Sequence, residues 1–455
     1  MSPGVPEGGE ISHVRKLARS AVGRLLLSAS ATAMLQGGSL MLGFVTAVLL
    51  ARLLGGEEYG RYVLALAWAG VLTTPAILGL DRFLVRGIAV YDVERNPHLI
   101  RGLLRRTNQL VLITSITIAS LGCLAAIVLL ARSLQWPFCV AMLLVPITAI
   151  TLLRQGAMQA IGRVVTGQLP EYLIRPTIIL AGVVALKLVG GGLLTSAAAL
   201  GVNVVGVAVA CVVGAVLLRR ALPVVWRRAS PEYTTRQWLR ASLPMMLISG
   251  VWMANSYVTT LVVGTLDGAR AAGVYSVVQR GAELIVIWLI AANMPLAPAV
   301  ARMHARGDRQ SFEHTTERVA QATLVVSIPL AAVLALFPGI YLGLFGAGFE
   351  GGATALTILA LGQVVNAVAG PAGNVLIMTG YERVAVWGMV VGLIANFVLG
   401  VLLVPRLGVT GGAIAFASSL VLWNTILVIL ARRRIGVNVT AFPGLAVSKP
   451  AQGGV

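Results

Sequence analysis

Long apolar stretches alternate with short charged or Gly/Pro-rich segments along almost the whole chain. About 20 helical residues cross the ~30 Å hydrocarbon core of a bilayer, and apolar windows of that length recur through the sequence. The predicted membrane-spanning helices are residues 25–51, 62–80, 108–131, 137–160, 172–190, 194–218, 241–265, 274–298, 319–345, 353–379, 384–404 and 411–431. This pattern predicts an all-α polytopic membrane protein with about twelve transmembrane helices.

The amino-acid composition favours the same class of protein. Of the 455 residues, 58% are hydrophobic and 11% are charged, whereas soluble domains have about 45–50% apolar and about 25% charged residues. We therefore do not expect a water-soluble enzyme.

The net charge of +19 follows the predicted topology. Of the 35 Lys and Arg residues, 26 fall in the terminal segments and in one set of alternate loops, six fall on the other side, and three lie in or near spans. Because cytoplasmic loops are enriched in Lys and Arg, this bias places both termini in the cytoplasm. We interpret the basic loops as topology signals near anionic lipid, and we expect no nucleic-acid partner.

The two halves of the chain carry a similar motif. Gly60-x-Tyr62 opens the second predicted helix and Gly273-x-Tyr275 opens the eighth. The two motifs are six spans apart, an even number, so the halves have the same orientation, as in carriers built from parallel repeats. The predicted organisation is a cytoplasmic N-tail (1–24), an N-lobe (25–218), a cytoplasmic linker (219–240), a C-lobe (241–431) and a disordered cytoplasmic tail (432–455). Two six-helix lobes around a central cavity are expected.

Four ionisable side chains in or near the predicted spans are the candidate functional residues. A charge at the centre of a membrane helix costs roughly 2.5–3.5 kcal/mol unless it faces water or a partner. Arg154, Arg175 and Arg280 are candidate ligands of an anionic substrate, because a guanidinium fork matches phosphate oxygens. Glu283, one helical turn after Arg280, is the candidate for coupling to a proton or sodium gradient. A structural Arg280–Glu283 pair and snorkelling of the other two arginines to headgroups are the alternatives.

Motifs for catalysis or metal binding are absent from the sequence. The four histidines lack metal-ligand spacing, and neither a P-loop nor GxSxG occurs. Cys123, Cys139 and Cys211 lie in apolar runs, where we expect them to act as small hydrophobic residues without an important disulfide. We therefore expect no catalytic residue, no metal and no cofactor.

Several segments carry a family resemblance. LARLLGGEEYGRYVLA at residues 50–65 resembles a signature of bacterial polysaccharide-biosynthesis exporters. The segments LGLDRFLVRGIA, GVYSVVQR and GVTGGAIAFASSL are also similar to that family. The chain thus resembles the oligosaccharidyl-lipid (Wzx-type) flippases of the multidrug/oligosaccharidyl-lipid/polysaccharide (MOP) exporter superfamily over residues 25–431.

This resemblance implies alternating-access transport of a polyprenyl-diphosphate-linked oligosaccharide across the bacterial cytoplasmic membrane. We expect an ion gradient to drive this transport. The implied partners are that glycan and membrane lipids, with polysaccharide polymerase and glycosyltransferases as candidates. A multidrug cation antiporter and a peptidoglycan-precursor flippase are alternatives within the superfamily. A membrane glycosyltransferase and a scaffold of a polysaccharide assembly complex are alternatives from other classes.

Overall fold

In the computed structural model, which describes residues 9–190 and 194–442, the described part of the chain is helical and contains no strand. The helices are α1 (Gly9–Ile77), α2 (Leu80–Val93), α3 (Pro97–Leu129), α4 (Arg132–Met142), α5 (Leu144–Ala160), α6 (Val164–Leu169), α7 (Arg175–Gly190), α8 (Ser196–Ala221), α9 (Val224–Arg228), α10 (Thr235–Leu266), α11 (Ala269–Ala305), α12 (Arg309–Leu336), α13 (Pro338–Gly343), α14 (Ala353–Ala369), α15 (Ala372–Met378) and α16 (Glu382–Ile435). A π-helical turn (Pro170–Ile174) joins α6 to α7, and a 3-10 turn (Ala347–Gly352) precedes α14.

About twelve membrane crossings can be assigned to the described helices. Within the described residues, nine segments are long and apolar enough to span a bilayer, and two of these, Met34–Val93 with 60 residues and Glu382–Ile435 with 54, are long enough to cross twice. Each contains a glycine with positive φ, Gly55 (71°) in α1 and Gly408 (55°) in α16, where the backbone reverses between crossings. Helix α11, with 37 residues, adds one more crossing. The prediction of an all-α protein with about twelve transmembrane helices is confirmed.

The apolar cores show how the two lobes meet. The cation-poor end of the molecule is the side that carries Arg52, Arg61 and Arg270 and few other basic residues, and the cation-rich end is the side of the 219–240 linker. At the cation-poor end, one core runs through both lobes and includes Tyr59, Tyr275 and Phe345. At the cation-rich end the cores are separate, one around Leu84, which α10 joins through Trp238, and one around Phe312 in the C-lobe. The lobes are therefore packed together at the cation-poor end.

Two glycines allow the lobes to approach closely where α1 crosses α11. A Cβ atom on Gly273 would lie 2.9 Å from the carbonyl oxygen of Gly56 and 3.0 Å from Cα of Gly60. A Cβ atom on Gly60 would in turn overlap the backbone of Ala269. The Gly-x-Tyr motifs noted in the sequence thus face each other across the lobe interface.

Polar and aromatic contacts reinforce this crossing. Nε of Arg52 donates a hydrogen bond to the carbonyl oxygen of Leu344 (2.6 Å). The Tyr59 ring packs edge-on against Phe349, with 5.8 Å between centroids. Closure of the cation-poor end therefore depends on side chains from both lobes.

The expectation for the cysteines is wrong for two of the three. Cys123 and Cys139 form a disulfide, with their Cα atoms 4.8 Å apart, and Cys211 is free. The connection between α3 and α4 is two residues long, so the two helices run antiparallel and meet at the same end of the molecule. Residues at similar distances from the turn, such as Cys123 and Cys139, therefore lie next to each other. The disulfide therefore lies in the α3–α4 hairpin at the cation-poor end.

The predicted disordered tail is ordered where it follows α16. Val437, Val439 and Ala441 are buried against the C-lobe. The backbone N–H of Ala441 donates to the Val368 carbonyl (3.1 Å), and the Gln321 side chain donates to the Ala441 carbonyl (3.2 Å). The disorder prediction is wrong for this stretch because its alternate apolar residues fit between α12 and α14. The remaining tail, 443–455, lies outside the described residues.

Candidate functional site

A cavity of about 260 Å³ lies in the N-lobe and is closed on one side by α11 of the C-lobe. Its walls come from both crossings of α1, the π turn, α7 and α8. The polar lining includes Tyr59, Tyr62, Glu171, Arg175, Asn203 and Arg280. Two of the three arginines selected from the sequence, one from each lobe, are thus brought to one cavity.

Arg175 is held on the N-lobe wall by two neighbours. Its guanidinium forms an ion pair with Glu171, one turn earlier, and donates a hydrogen bond to Oδ1 of Asn203 (3.4 Å). The Asn203 amide in turn donates to the Tyr62 hydroxyl (2.9 Å), which fixes the orientation of the amide. Arg175 therefore has one carboxylate partner and a defined position.

The π turn places Glu171 and Arg175 together. It begins at Pro170, and Pro176 follows Arg175 at the start of α7. Because proline has no N–H to donate to the preceding turn, regular helical bonding is interrupted at both points. Single π turns within helices are frequent at functional sites.

Arg280 approaches the cavity from the C-lobe and has no carboxylate within ion-pair distance in the described part of the chain. Its guanidinium interacts electrostatically with Tyr59. The Arg280 Nε and the Tyr59 hydroxyl are shielded from solvent, and neither makes a hydrogen bond of normal geometry to a described residue. An enclosed charge without an adjacent counter-ion is costly, which favours binding of an anion beside it.

Glu283 does not line this cavity. Its carboxylate accepts a hydrogen bond from the Gln279 side chain (3.2 Å) and interacts with Arg280 only beyond ion-pair distance. The Glu283 side chain is exposed, whereas Ala282 and Ile285 on the same helix are buried. The carboxylate therefore lies on an open face of α11.

Arg154 occupies a different place. Its guanidinium donates to the Cys211 carbonyl (2.6 Å) and lies 2.8 Å from the Cys211 sulfur, in a crevice between α5 and α8. This contact ties two N-lobe helices together. Arg154 is not in the cavity that Arg175 and Arg280 share.

Glu171 and Tyr59 were not selected from the sequence. Both lie just outside the predicted spans, at positions that are usually loops. The Glu171-x-x-x-Arg175 spacing, which favours an ion pair on one helix face, is the signal that identifies the first. Nothing in the sequence indicates that Tyr59 lies beside Arg280, because that contact joins residues more than 200 positions apart.

The sequence matches two family descriptions. The polysaccharide biosynthesis protein family matches residues 25–304, and the MatE family matches residues 244–402. A curated relative, an uncharacterized membrane protein of Methanocaldococcus jannaschii, is 23% identical over 175 residues. That alignment covers 36% of this chain and 34% of the relative, so the chain matches about a third of the relative's length.

Solved structures share the fold over most of the chain. An inward-facing multidrug resistance MATE family transporter of the MOP superfamily aligns with a TM-score of 0.73 and 14% identity, covering 88% of this chain and 94% of that one. The lipid II flippase MurJ in an inward closed conformation aligns with a TM-score of 0.69 and 13% identity, covering 90% and 87%. At these identities the likeness shows a common fold.

Proposed function

The chain belongs to the polysaccharide biosynthesis protein family, and on that premise we propose that this MOP-superfamily transporter flips a polyprenyl-diphosphate-linked oligosaccharide across the bacterial cytoplasmic membrane. The observation that carries the proposal is the shared cavity of Arg175 and Arg280, one cation from each lobe. Glu171 is the one carboxylate among the residues that line it. The cavity therefore has an excess of positive charge.

This charge favours a diphosphate over a cationic drug. A diphosphate linked to lipid and sugar carries about two negative charges, and each arginine can bind phosphate oxygens through its guanidinium fork. A multidrug cation antiporter needs the opposite charge at its binding site. The peptidoglycan-precursor alternative also has a diphosphate, so the cavity fits it equally well, and the family match favours polysaccharide biosynthesis.

Binding to both lobes provides a physical route to alternating access. The lobes are packed together at the cation-poor end, which we propose faces outward because cations accumulate on the cytoplasmic side. A diphosphate held by Arg175 and Arg280 links the lobes across the cavity. Rocking of the lobes then separates Gly60 from Gly273 and releases the glycan outward.

Arg154 and Glu283 have separate places in this proposal. Arg154 lies six residues before the end of α5 at Ala160, about 9 Å from the cation-rich end, whereas Arg175 lies eleven residues after the start of α6 at Val164, about 16 Å from that end at 1.5 Å per residue. We place Arg154 on the entry path from the inner leaflet. The exposed carboxylate of Glu283, bonded to Gln279, is the proposed coupling group for a proton or sodium ion, and Glu283→Gln should uncouple transport from the gradient.

Transport into vesicles tests the proposal. Proteoliposomes are loaded with a fluorescent polyprenyl-diphosphate oligosaccharide, and its movement between leaflets is followed. Arg175→Ala and Arg280→Ala should each lower the rate at least tenfold, because each removes one phosphate ligand. Arg132→Ala, which removes an exposed arginine outside the cavity, is the matched control and should transport normally. Wild-type rates in both cavity variants would overturn the proposal.

A further inference from the structure

Glu171 lies on the cavity wall, and the transport steps proposed above do not use it. Its carboxylate pairs with Arg175 through Oε1 alone. The second oxygen, Oε2, is shielded from solvent and has no hydrogen-bond partner among the described residues. A carboxylate that uses only one of its two oxygens is bound less firmly than in a bidentate Arg–carboxylate pair.

The charges in the cavity explain why this carboxylate matters. Glu171 neutralises Arg175, whereas Arg280 has no carboxylate within ion-pair distance in residues 9–190 and 194–442. A ligand with one negative charge can therefore be satisfied by Arg280. A diphosphate requires both arginines, and it reaches Arg175 only where Glu171 now binds.

The surroundings allow Glu171 to leave while Arg175 stays in place. Arg175 keeps its hydrogen bond to Asn203, and Asn203 is 4% exposed and held by Tyr62. The Glu171 side chain, by contrast, makes no hydrogen bond or ion pair other than the one to Arg175 among the described residues. The arginine is thus fixed by a second contact that the glutamate lacks.

We infer that Glu171 is a built-in counter-anion: it occupies the position on Arg175 that a substrate phosphate takes, and diphosphate binding displaces it. This inference rests on the proposed function and adds a regulation of the same site. While Glu171 pairs with Arg175, only Arg280 in the cavity lining lacks a neutralising carboxylate, so single anions do not occupy both arginines. Glu171 returns to Arg175 after release and resets the cavity for the next substrate.

Binding of inorganic pyrophosphate to the purified full-length chain in detergent tests the inference, with the dissociation constant measured by calorimetry. Glu171→Gln should lower that constant about tenfold, because Arg175 becomes available without displacement of a charge. Glu57→Gln is the matched control: Glu57 pairs with Arg61 (3.2 Å) at the same four-residue spacing but lies outside the cavity lining. The control should bind as the wild type does.

Two further variants keep the result interpretable. Glu171→Asp shortens the carboxylate and loosens the pair, so it should tighten binding to a smaller extent even if Glu171→Gln does not fold. Glu171→Gln combined with Arg175→Gln should bind more weakly than the wild type, because the unmasked arginine is gone. Size-exclusion profiles and melting temperatures report whether each variant is folded.

The outcomes separate this inference from the proposed function. The counter-anion role of Glu171 is overturned if folded Glu171 variants bind pyrophosphate as tightly as the wild type does, or more weakly. If Arg175→Ala and Arg280→Ala lose binding in the same experiment, the cationic cavity is still supported. Absence of binding in every variant overturns both. If Glu171→Gln binds pyrophosphate more tightly but the wild-type protein moves no lipid-linked glycan, the result supports the counter-anion role and rejects the proposed substrate.

Discussion

At the scale of single residues, the two cavity arginines differ in how their charge is compensated. Arg175 has Glu171 and Asn203 as partners, and the side chains of the ion pair are 26% and 17% exposed. Arg280 interacts electrostatically with Tyr59, Tyr62 and the more distant Glu283, but it has no carboxylate within ion-pair distance among the described residues. Because an unpaired charge inside a protein is destabilising whereas a pair is partly compensated, the two arginines should affect stability in opposite ways.

Replacing each arginine should separate stability from transport. Arg280→Met removes an uncompensated charge but keeps the apolar stem, so the melting temperature in detergent should rise while flipping is lost. Arg175→Ala leaves the Glu171 carboxylate without its partner and should destabilise the protein by about 3 kcal/mol, at the low end for a partly exposed pair. Equal destabilisation by both substitutions would show that Arg280 is compensated by a neighbour.

The candidate site could be predicted only in part at this scale. Arg175 and Arg280 stand out in the sequence because an arginine in an apolar helix is costly and therefore rare. Their common cavity, and the separation of Arg154 from it, depend on how distant helices pack. Local spacing indicates the Glu171–Arg175 pair, whereas the role of Tyr59 depends on a helix that lies more than 200 residues away.

At the scale of helices, glycines and short connections determine how elements meet. Gly60 and Gly273 allow backbone contact between α1 and α11, and Gly55 permits the hairpin within α1. The sequence identifies Gly60 and Gly273 as part of a repeated motif but does not show that they touch. Similarly, the two-residue connection between α3 and α4 brings Cys123 and Cys139 together. The apolar surroundings of each cysteine in the sequence predict a small hydrophobic residue and do not indicate this pairing.

Adding volume at the α1–α11 crossing should prevent closure of the cation-poor end. Gly273→Val introduces a Cβ atom 3.0 Å from Gly60 and two methyl groups beyond it. The overlap should cost about 1–3 kcal/mol in the closed state and reduce glycolipid flipping strongly. Gly339→Ala is the control, because its new Cβ has no atom within 4 Å. Wild-type flipping and melting temperature in Gly273→Val would mean that the lobes do not need this close approach.

At the scale of the whole molecule, the hydrophobic pattern predicts the fold well because each membrane helix satisfies its own backbone hydrogen bonds. The helix count and the two lobes are confirmed, as is the family resemblance first noted at residues 50–65. The packing of the C-terminal segment and the closed end of the lobes were not predicted. Both depend on contacts between segments distant in sequence, which periodicity does not encode.

Orientation in the membrane is the property of the whole molecule on which the proposed direction of transport depends. From the charge bias we propose that the linker is cytoplasmic and that the lobe-closing end faces outward; the disulfide at that end favours the same orientation, since disulfides persist in oxidising compartments. Single cysteines at two exposed positions, Glu350→Cys and Arg228→Cys, in a background where the native cysteines are serine, test this orientation in spheroplasts. A membrane-impermeant maleimide should label the first in intact cells and the second only after permeabilisation. The reverse pattern would place the closed end in the cytoplasm, and the cavity would then load from the outer leaflet, which is the opposite of an export cycle.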